Sequence, residues 1–326
     1  MQLATGYWAS AALLAANRVG VFGALADGAK SLSEIVAATG TTERGLRPLL
    51  ESVIGLGFVT FEGGAYSIAP AAAAFLVPGR PGSLASGLEW SFQQMPAWAN
   101  LAEAVKSGSP AVPPKDMLGG DPEQTRTFVS AMRERAMGPA HGVAGFLPME
   151  GVQSLLDVGG GPGAYAAVLA RRNPTLQVTI LDLPDIVEAA KPWVAEQGLA
   201  ERVQFIPGDA TGGEYGEGQY DAALLSGVLH RMSPETCQRM IAGAAKALRP
   251  GGRVMVVDMM LSDDRSGPLF SALFSLQMLL TTEEGAVFAK GECADWMRSA
   301  GLTEVESKDL PQPLPYSLVT GVQLGS

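Results

Sequence analysis

Leu156-Asp-Val-Gly-Gly-Gly-Pro-Gly163 is the stretch on which the reading of this chain turns. A short apolar run that ends at an acid and opens into a glycine-rich bend predicts a buried strand feeding the first turn of a helix. The run begins near residue 154, and further apolar runs follow at 177–181, 203–206, 222–225 and 253–257. Helical segments separate them near 163–172, 185–198 and 234–248. Strands alternating with helices predict an α/β fold, a parallel sheet covered on both faces. Two late runs, 302–307 and 316–322, close that sheet as an antiparallel pair.

Open α/β sheets bind ligands beyond the carboxyl ends of their strands. Here the first strand ends in Asp157 and the glycine bend, the second in Asp182 and the third in Gly208-Asp209-Ala210. The fourth runs through Ser226 to His230, one of only two histidines, and the fifth ends in Asp258. A glycine bend, four carboxylates and an imidazole on one rim exceed what chance placement supplies. The bend alone has two readings. Gly159-x-Gly161-x-x-Ala164, with Asp182 about 20 residues on, fits a dinucleotide fingerprint. Gly159-x-Gly161-x-Gly163 equally fits the S-adenosylmethionine loop of methyltransferases, and both need backbone approach without a Cβ in the way. Pro162 removes one donor from the bend, which hinders a pyrophosphate cradle and leaves a cofactor without phosphates unaffected. Asp209, in a Phe-Ile-Pro-Gly-Asp-Ala context, suits an adenine amine that a dehydrogenase need not contact.

The N-terminal part follows a different pattern. Apolar side chains recur at helical spacing over 7–26, Ser31 or Ser33 opens a short helix with Glu34, and a second capped helix covers 44–56. Two short strands around Glu62-Gly-Gly64 then complete a winged helix, giving a mainly helical N-terminal domain over 1–85. Its would-be recognition helix carries Glu43, Arg44, Arg47 and Glu51, so no basic stripe emerges, and a dimerisation module fits better than DNA binding. Gly/Pro clusters at 78–82, 107–114 and 119–122 punctuate connecting helices over 86–145, leaving 146–326 as the catalytic domain. His141 reads as an ordinary helix residue.

Composition narrows the function classes. The 326 residues are 47% apolar and 17% charged, enough for two packed cores. Lys and Arg number 23 against 33 Asp and Glu, a net charge of −10 that argues against nucleic acid or anionic lipid as a partner. Cys237 and Cys293 form no CxxC pair, which excludes a disulfide scaffold, argues for no metal centre, and suits a reducing, cytoplasmic setting. The apolar 3–16 stretch lacks the basic residues of a signal peptide, and no apolar run reaches the roughly 18 residues that span a bilayer.

The series Leu156-Asp-Val-Gly-Gly-Gly-Pro-Gly163, Leu181-Asp-Leu-Pro184, Gly208-Asp209, Val228-Leu-His230 and Leu248-Arg-Pro-Gly-Gly252 resembles one family in order and spacing. It is that of the class I S-adenosyl-L-methionine-dependent O-methyltransferases of plant caffeate and flavonoid methylation and bacterial polyketide tailoring. The resemblance implies a Rossmann-like catalytic sheet, an N-terminal winged-helix dimerisation domain and a homodimer in which Tyr7 and Trp8 reach the partner. It implies that Gly159 and Gly161 line the methionyl part of the cofactor, Asp182 holds the ribose, and Asp209 and Ala210 flank the adenine. His230 matches the catalytic base, and Asp258 stands where plant members place a Glu that orients it. Met132 and Met278 fall in segments that line the acceptor site; ordinary core packing is their rival reading.

Three positions depart from the family pattern. Ser226 replaces a frequent Lys beside the cofactor, Val287 replaces a second supporting Glu, and Arg231 replaces the Asp that commonly follows the base. The expected reaction is methylation of a hydroxyl on a small aromatic secondary metabolite, with His230 accepting the proton. Three alternatives stand beside it: a non-methylating enzyme on the same fold and cofactor, a nicotinamide dehydrogenase, and a winged-helix DNA-binding regulator.

Overall fold

The computed structural model of the chain describes residues 2–80, 82–112 and 122–324, apart from the side chains of Pro122 and Gln124. Pro81 and residues 113–121, which include parts of the Gly/Pro clusters named above, lie outside the described residues. Two compact units emerge: Met1–Pro96 with Ser130–Arg135, and Ala97–Val129 with Ala136–Ser326.

In the first unit the helices are α1 (Gln2–Thr5), α2 (Tyr7–Arg18), α3 (Val21–Ala24), α4 (Leu32–Thr39) and α5 (Glu43–Gly55). The helical run expected over 7–26 breaks at Gly20, whose φ of 86° no side-chain-bearing residue adopts readily. Ser31 caps α4 through a capping box: its Oγ accepts from the Glu34 N–H, and the Glu34 carboxylate accepts from the Ser31 N–H at 2.7 Å. Strands β1 (Val59–Glu62) and β2 (Ala65–Ile68) pair antiparallel, and Gly63 and Gly64 both take positive φ, as a two-residue hairpin turn requires. Phe22, Leu25, Ile35, Leu46, Leu50 and Val53 form the core of this unit.

Helix α6 (Pro70–Leu76) follows, then α7 (Ala85–Ala99), α8 (Leu101–Ser107) and the long α9 (Pro122–Val143). The Glu134 carboxylate on α9 accepts from the Ser86 N–H and hydroxyl, both at 2.8 Å, and from the Gly87 N–H at 3.2 Å. That acid satisfies the open N-terminus of α7 and favours its positive dipole end, which ties 130–135 to the first unit.

The second unit is built on a seven-stranded sheet of order β5-β4-β3-β6-β7-β9-β8. The strands are β3 (Ser154–Val158), β4 (Gln177–Asp182), β5 (Val203–Pro207), β6 (Tyr220–Ser226), β7 (Leu248–Asp258), β8 (Leu302–Asp309) and β9 (Ser317–Gln323). The first five run parallel and the last two are antiparallel, as their sequence pattern predicts. Helices α10 (Ala164–Arg172), α11 (Pro184–Glu196), α12 (Pro234–Ala247), α13 (Leu269–Thr281) and α14 (Lys290–Ser299) accompany it. Side chains alternate between faces along each strand. Leu156, Val158, Ala223, Leu225, Val254 and Val256 enter one core, while Leu155, Val178, Ile180, Leu224, Met255 and Val257 enter the other. This is why the central strands are apolar over most of their length. Strand order reverses between β3 and β6, which opens a crevice at their carboxyl ends.

Candidate active site

The bend after β3 is shaped by three glycines with positive φ: 65° at Gly159, 54° at Gly161 and 78° at Gly163. A Cβ on Gly159 would meet Val228 at 2.7 Å, and one on Gly160 would meet the Asp157 carboxyl at 2.6 Å. A Cβ on Gly161 would meet nothing within 4 Å, so this part of the bend faces open space. The Gly161 N–H donates to the Asp182 carboxylate at 2.7 Å, and so does the Leu183 N–H. Burial raises the Asp182 pKa, and those two N–H donors and the nearby Arg231 charge oppose the rise.

Asp157 is the surprise of the rim. The sequence places it with three other carboxylates on one rim; its side chain is wholly buried beneath Gly160. Neither carboxyl oxygen has a hydrogen-bond partner in the protein. Burial, with the charge of Asp182 adding to it, pushes its pKa up to about 7.

Asp209 lies exposed after β5 and caps a short 3-10 turn, accepting from the Thr211 N–H at 2.9 Å and hydroxyl at 2.8 Å through one oxygen. Ala210 opens that turn, and Ser226 stands half-buried at the end of β6.

After β6 the chain enters a 3-10 turn, Leu229–Arg231, which buries the His230 ring. Nδ1 of His230 lies 2.7 Å from Asp258 Oδ1, and the same oxygen accepts from the Met259 N–H at 2.8 Å. The other Asp258 oxygen accepts from the His230 backbone N–H at 3.3 Å. A carboxylate so held fixes both the ring and its turn. Leu229, Met259, Met260, Phe288 and Trp296 close apolar surface behind the pair. Phe274 of α13 meets the His230 ring edge-on at 4.8 Å between centroids, and Phe270 stacks on Phe274 at 6.3 Å. Gly285 allows no side chain, because a Cβ there would lie 2.6 Å from the His230 carbonyl oxygen.

The glycine bend, Asp182, His230 and Asp258 thus follow or end the parallel strands β3, β4, β6 and β7 on their carboxyl side. Met278 is buried on α13, the helix that carries Phe274. Met132 belongs to the first unit and is half-buried there. His141 is exposed on α9, and Cys237 is buried with its thiol donating to the Leu229 carbonyl. Val287 is buried and apolar, so Asp258 is the acid that supports His230. Arg231 carries no ion pair with Asp182, though burial lowers its pKa and the Asp182 charge counters that. Phe274, Gly285 and the orphaned state of Asp157 escape sequence reasoning, because each depends on a partner distant in the chain.

The rim fits S-adenosylmethionine. An open glycine bend, an acid already oriented by two backbone donors and a buried carboxyl without a partner suit a nucleoside that carries positive charge at sulfur and nitrogen. Among the described residues no cluster could hold a metal ion, and no helix is long and apolar enough to cross a membrane.

Comparisons with known proteins agree with this geometry. Residues 98–303 match an O-methyltransferase domain, and residues 1–78 match an O-methyltransferase dimerisation domain. The chain is 33% identical to the tetracenomycin polyketide synthesis 8-O-methyl transferase TcmO of Streptomyces glaucescens, across 96% of this chain and 93% of that protein. It is 31% identical to the 3-hydroxy-5-methyl-1-naphthoate 3-O-methyltransferase of Streptomyces sahachiroi, across 98% and 94%. Among solved structures, human N-acetylserotonin methyltransferase in complex with SAM superposes with a TM-score of 0.89 at 25% identity, covering 100% of this chain and 96% of that one. PigF with SAH gives 0.87 at 26% identity, covering 98% of each.

Proposed function

Since the chain belongs to the S-adenosylmethionine-dependent O-methyltransferase family, we propose that it methylates a phenolic hydroxyl on a fused-ring aromatic metabolite, with His230 as general base. The observation that carries this reading is the buried His230–Asp258 pair, 2.7 Å apart, after the carboxyl ends of β6 and β7. With Nδ1 donating to Asp258, the second ring nitrogen is left as an acceptor for the acceptor's hydroxyl proton. The carboxylate stabilises the charge that the ring gains.

The cofactor, when bound, supplies a methyl group on a cationic sulfur. Gly159 and Gly161 present backbone to its methionyl part, and Asp182 has lone pairs left for the ribose hydroxyls. Asp209, Ala210 and Ser226 flank the adenine end. The apolar wall behind His230 keeps water from competing with the acceptor, and alignment in that dry site supplies much of the acceleration. Phe274 and Met278 are the acceptor-side surface of this unit. A flat, aromatic acceptor suits an aromatic edge and a thioether. The names of the two Streptomyces relatives, one of tetracenomycin polyketide synthesis and one acting on 3-hydroxy-5-methyl-1-naphthoate, support this choice.

We assign the chain to a homodimer, on the matched dimerisation domain and on Tyr7 and Trp8, which stand 62% and 61% exposed as an edge-on aromatic pair. Residues 1–85, 86–145 and 146–326 serve as dimerisation, connecting and catalytic segments in this reading. Free Cys237 and Cys293 suit the cytoplasm. The test is incubation with S-adenosylmethionine and a panel of hydroxynaphthoates, hydroxyquinones and aliphatic alcohols. O-methyl product and S-adenosylhomocysteine from the fused-ring phenols alone are expected. Equal turnover of aliphatic alcohols, or methyl transfer to nitrogen or carbon, overturns the assignment.

A further inference from the structure

Asp157 does no structural work that its surroundings reward. It lies one residue before the end of β3, with Ile180 of β4 and Leu224 of β6 in register beside it, both apolar. The glycine bend closes over it so tightly that a methyl on Gly160 would overlap the carboxyl. Its oxygens receive no hydrogen bond, so the ionised form would be an uncompensated buried charge, which is among the costliest features a fold can carry. Every charged or titratable group that bears on it is anionic or neutral: Asp182 on β4 and Tyr165 on α10, with Asp258 of β7 and Tyr316 beyond Tyr165. No cation of the chain compensates it. The neutral form therefore prevails in the unliganded protein up to about pH 7.

The cofactor of this family is a cation, with an ammonium and a sulfonium against one carboxylate. We propose that Asp157 is a buried counter-ion for the cofactor, neutral in the free protein and ionised in the complex, so that seating the cofactor expels one proton to solvent. The proton leaves the Asp157 carboxyl for the buffer, and no bond of the cofactor changes. This inference rests on the cofactor, not on the choice of acceptor or base. Nearby opposite charge lowers a carboxyl by about 1–3 units. A fall of about two units from about 7 releases roughly 0.8 of a proton at pH 6 and about 0.1 at pH 8. The same linkage makes cofactor affinity roughly tenfold weaker at pH 6 than at pH 8.

Titration calorimetry with S-adenosylmethionine in buffers of differing ionisation enthalpy reads the proton count directly. The expected wild-type result at pH 6 is a release near 0.8, and a slope of zero there overturns the inference without any variant. Asp157→Asn, where it folds, is expected to abolish the release and to flatten affinity between pH 6 and pH 8. His230→Gln separates the imidazole from the carboxyl: release retained supports Asp157, and release lost overturns it. Absence of any binding heat would overturn the cofactor assignment itself, whereas binding without proton release overturns this inference alone.

Discussion

The two ends of the central sheet treat an acid in opposite ways. At the amino ends of the strands, Asp221 gathers four donors: the Gln153 N–H at 3.0 Å, the Ser154 N–H at 2.8 Å, the Ser154 hydroxyl at 2.9 Å and Arg249 at 2.7 Å. Burial pushes its pKa up, but Arg249 and the other donors win and hold it below the ordinary carboxylate range. At the carboxyl ends, Asp157 has no donor and is held above that range, and Asp258 puts its best hydrogen bond on His230. Acids that stabilise the fold are saturated from within the fold. Those at the chemical rim are left incomplete, or are completed by a group that must itself react. The lesson is an energetic one: polar groups kept unsatisfied or poised cost stability, and they persist where a ligand completes them.

The largest expected effect tests the poised end. His230→Ala removes the only imidazole of the crevice and should lower kcat by about 10²–10⁴ on a good phenolic acceptor, at nearly unchanged cofactor affinity. Retention of full activity would mean that alignment alone carries the rate. Asp258→Asn should cost less. It replaces a charge-assisted hydrogen bond worth about 1.5–3 kcal/mol, so kcat falls on the order of ten- to a hundredfold. The amide can donate to the ring and turn it to the wrong tautomer, so the loss should appear in kcat rather than KM, measured by steady-state kinetics.

At the saturated end the readout changes from rate to stability. Asp221→Asn leaves donors from Gln153, Ser154 and Arg249 without their anion and should destabilise the fold by about 1–3 kcal/mol in denaturant titration. Cofactor affinity and kcat should not move. The pH dependences of the two ends have opposite sign. Asp221 releases its proton more readily folded than unfolded, so its contribution is present above the ordinary carboxyl range and is lost as pH falls through its lowered value. Asp157 binds its proton more tightly folded, so its contribution is present at low pH and is lost as pH rises through about 7. An Asp221→Asn protein that keeps the wild-type acid limb of stability would contradict the first half of this contrast.

How much of this was legible beforehand follows the same division. The glycine bend, the strand-ending acids and His230 all sit at fixed offsets from apolar runs, so periodicity places them on one rim. Satisfaction is not local. Whether Asp157 finds a donor depends on what β4, β6 and α10 present to it, and the sequence shows only one more carboxylate on the rim. Phe274 reaches His230 from a helix more than forty residues on, and no spacing rule connects them. The constraint on Gly285 comes from the His230 carbonyl against it, more than fifty residues away in the chain. The break at Gly20 escaped for a local reason: apolar spacing continues through it, and only the backbone angle ends the helix.

The smallest effect expected lies far from the rim, in the capping box of α4. Ser31 and Glu34 satisfy each other's backbone N–H groups as fully as the Asp221 cluster satisfies its acid, but on the surface. Hydrogen bonds from the Ser31 hydroxyl and N–H hold the Glu34 carboxyl below its usual range, so this contribution too is present at neutral pH and is lost as pH falls through the lowered value. Ser31→Ala deletes one side of the reciprocal pair and should lower the melting temperature of the first unit by a few degrees, without altering proton release on cofactor binding. Were that release to change, satisfaction of the fold and completion of the site could not be separate accounts. A surface cap thirty residues into the chain would then be reporting on a carboxyl beneath the glycine bend, and the contrast between the two kinds of acid would fail at its weakest and most easily measured point.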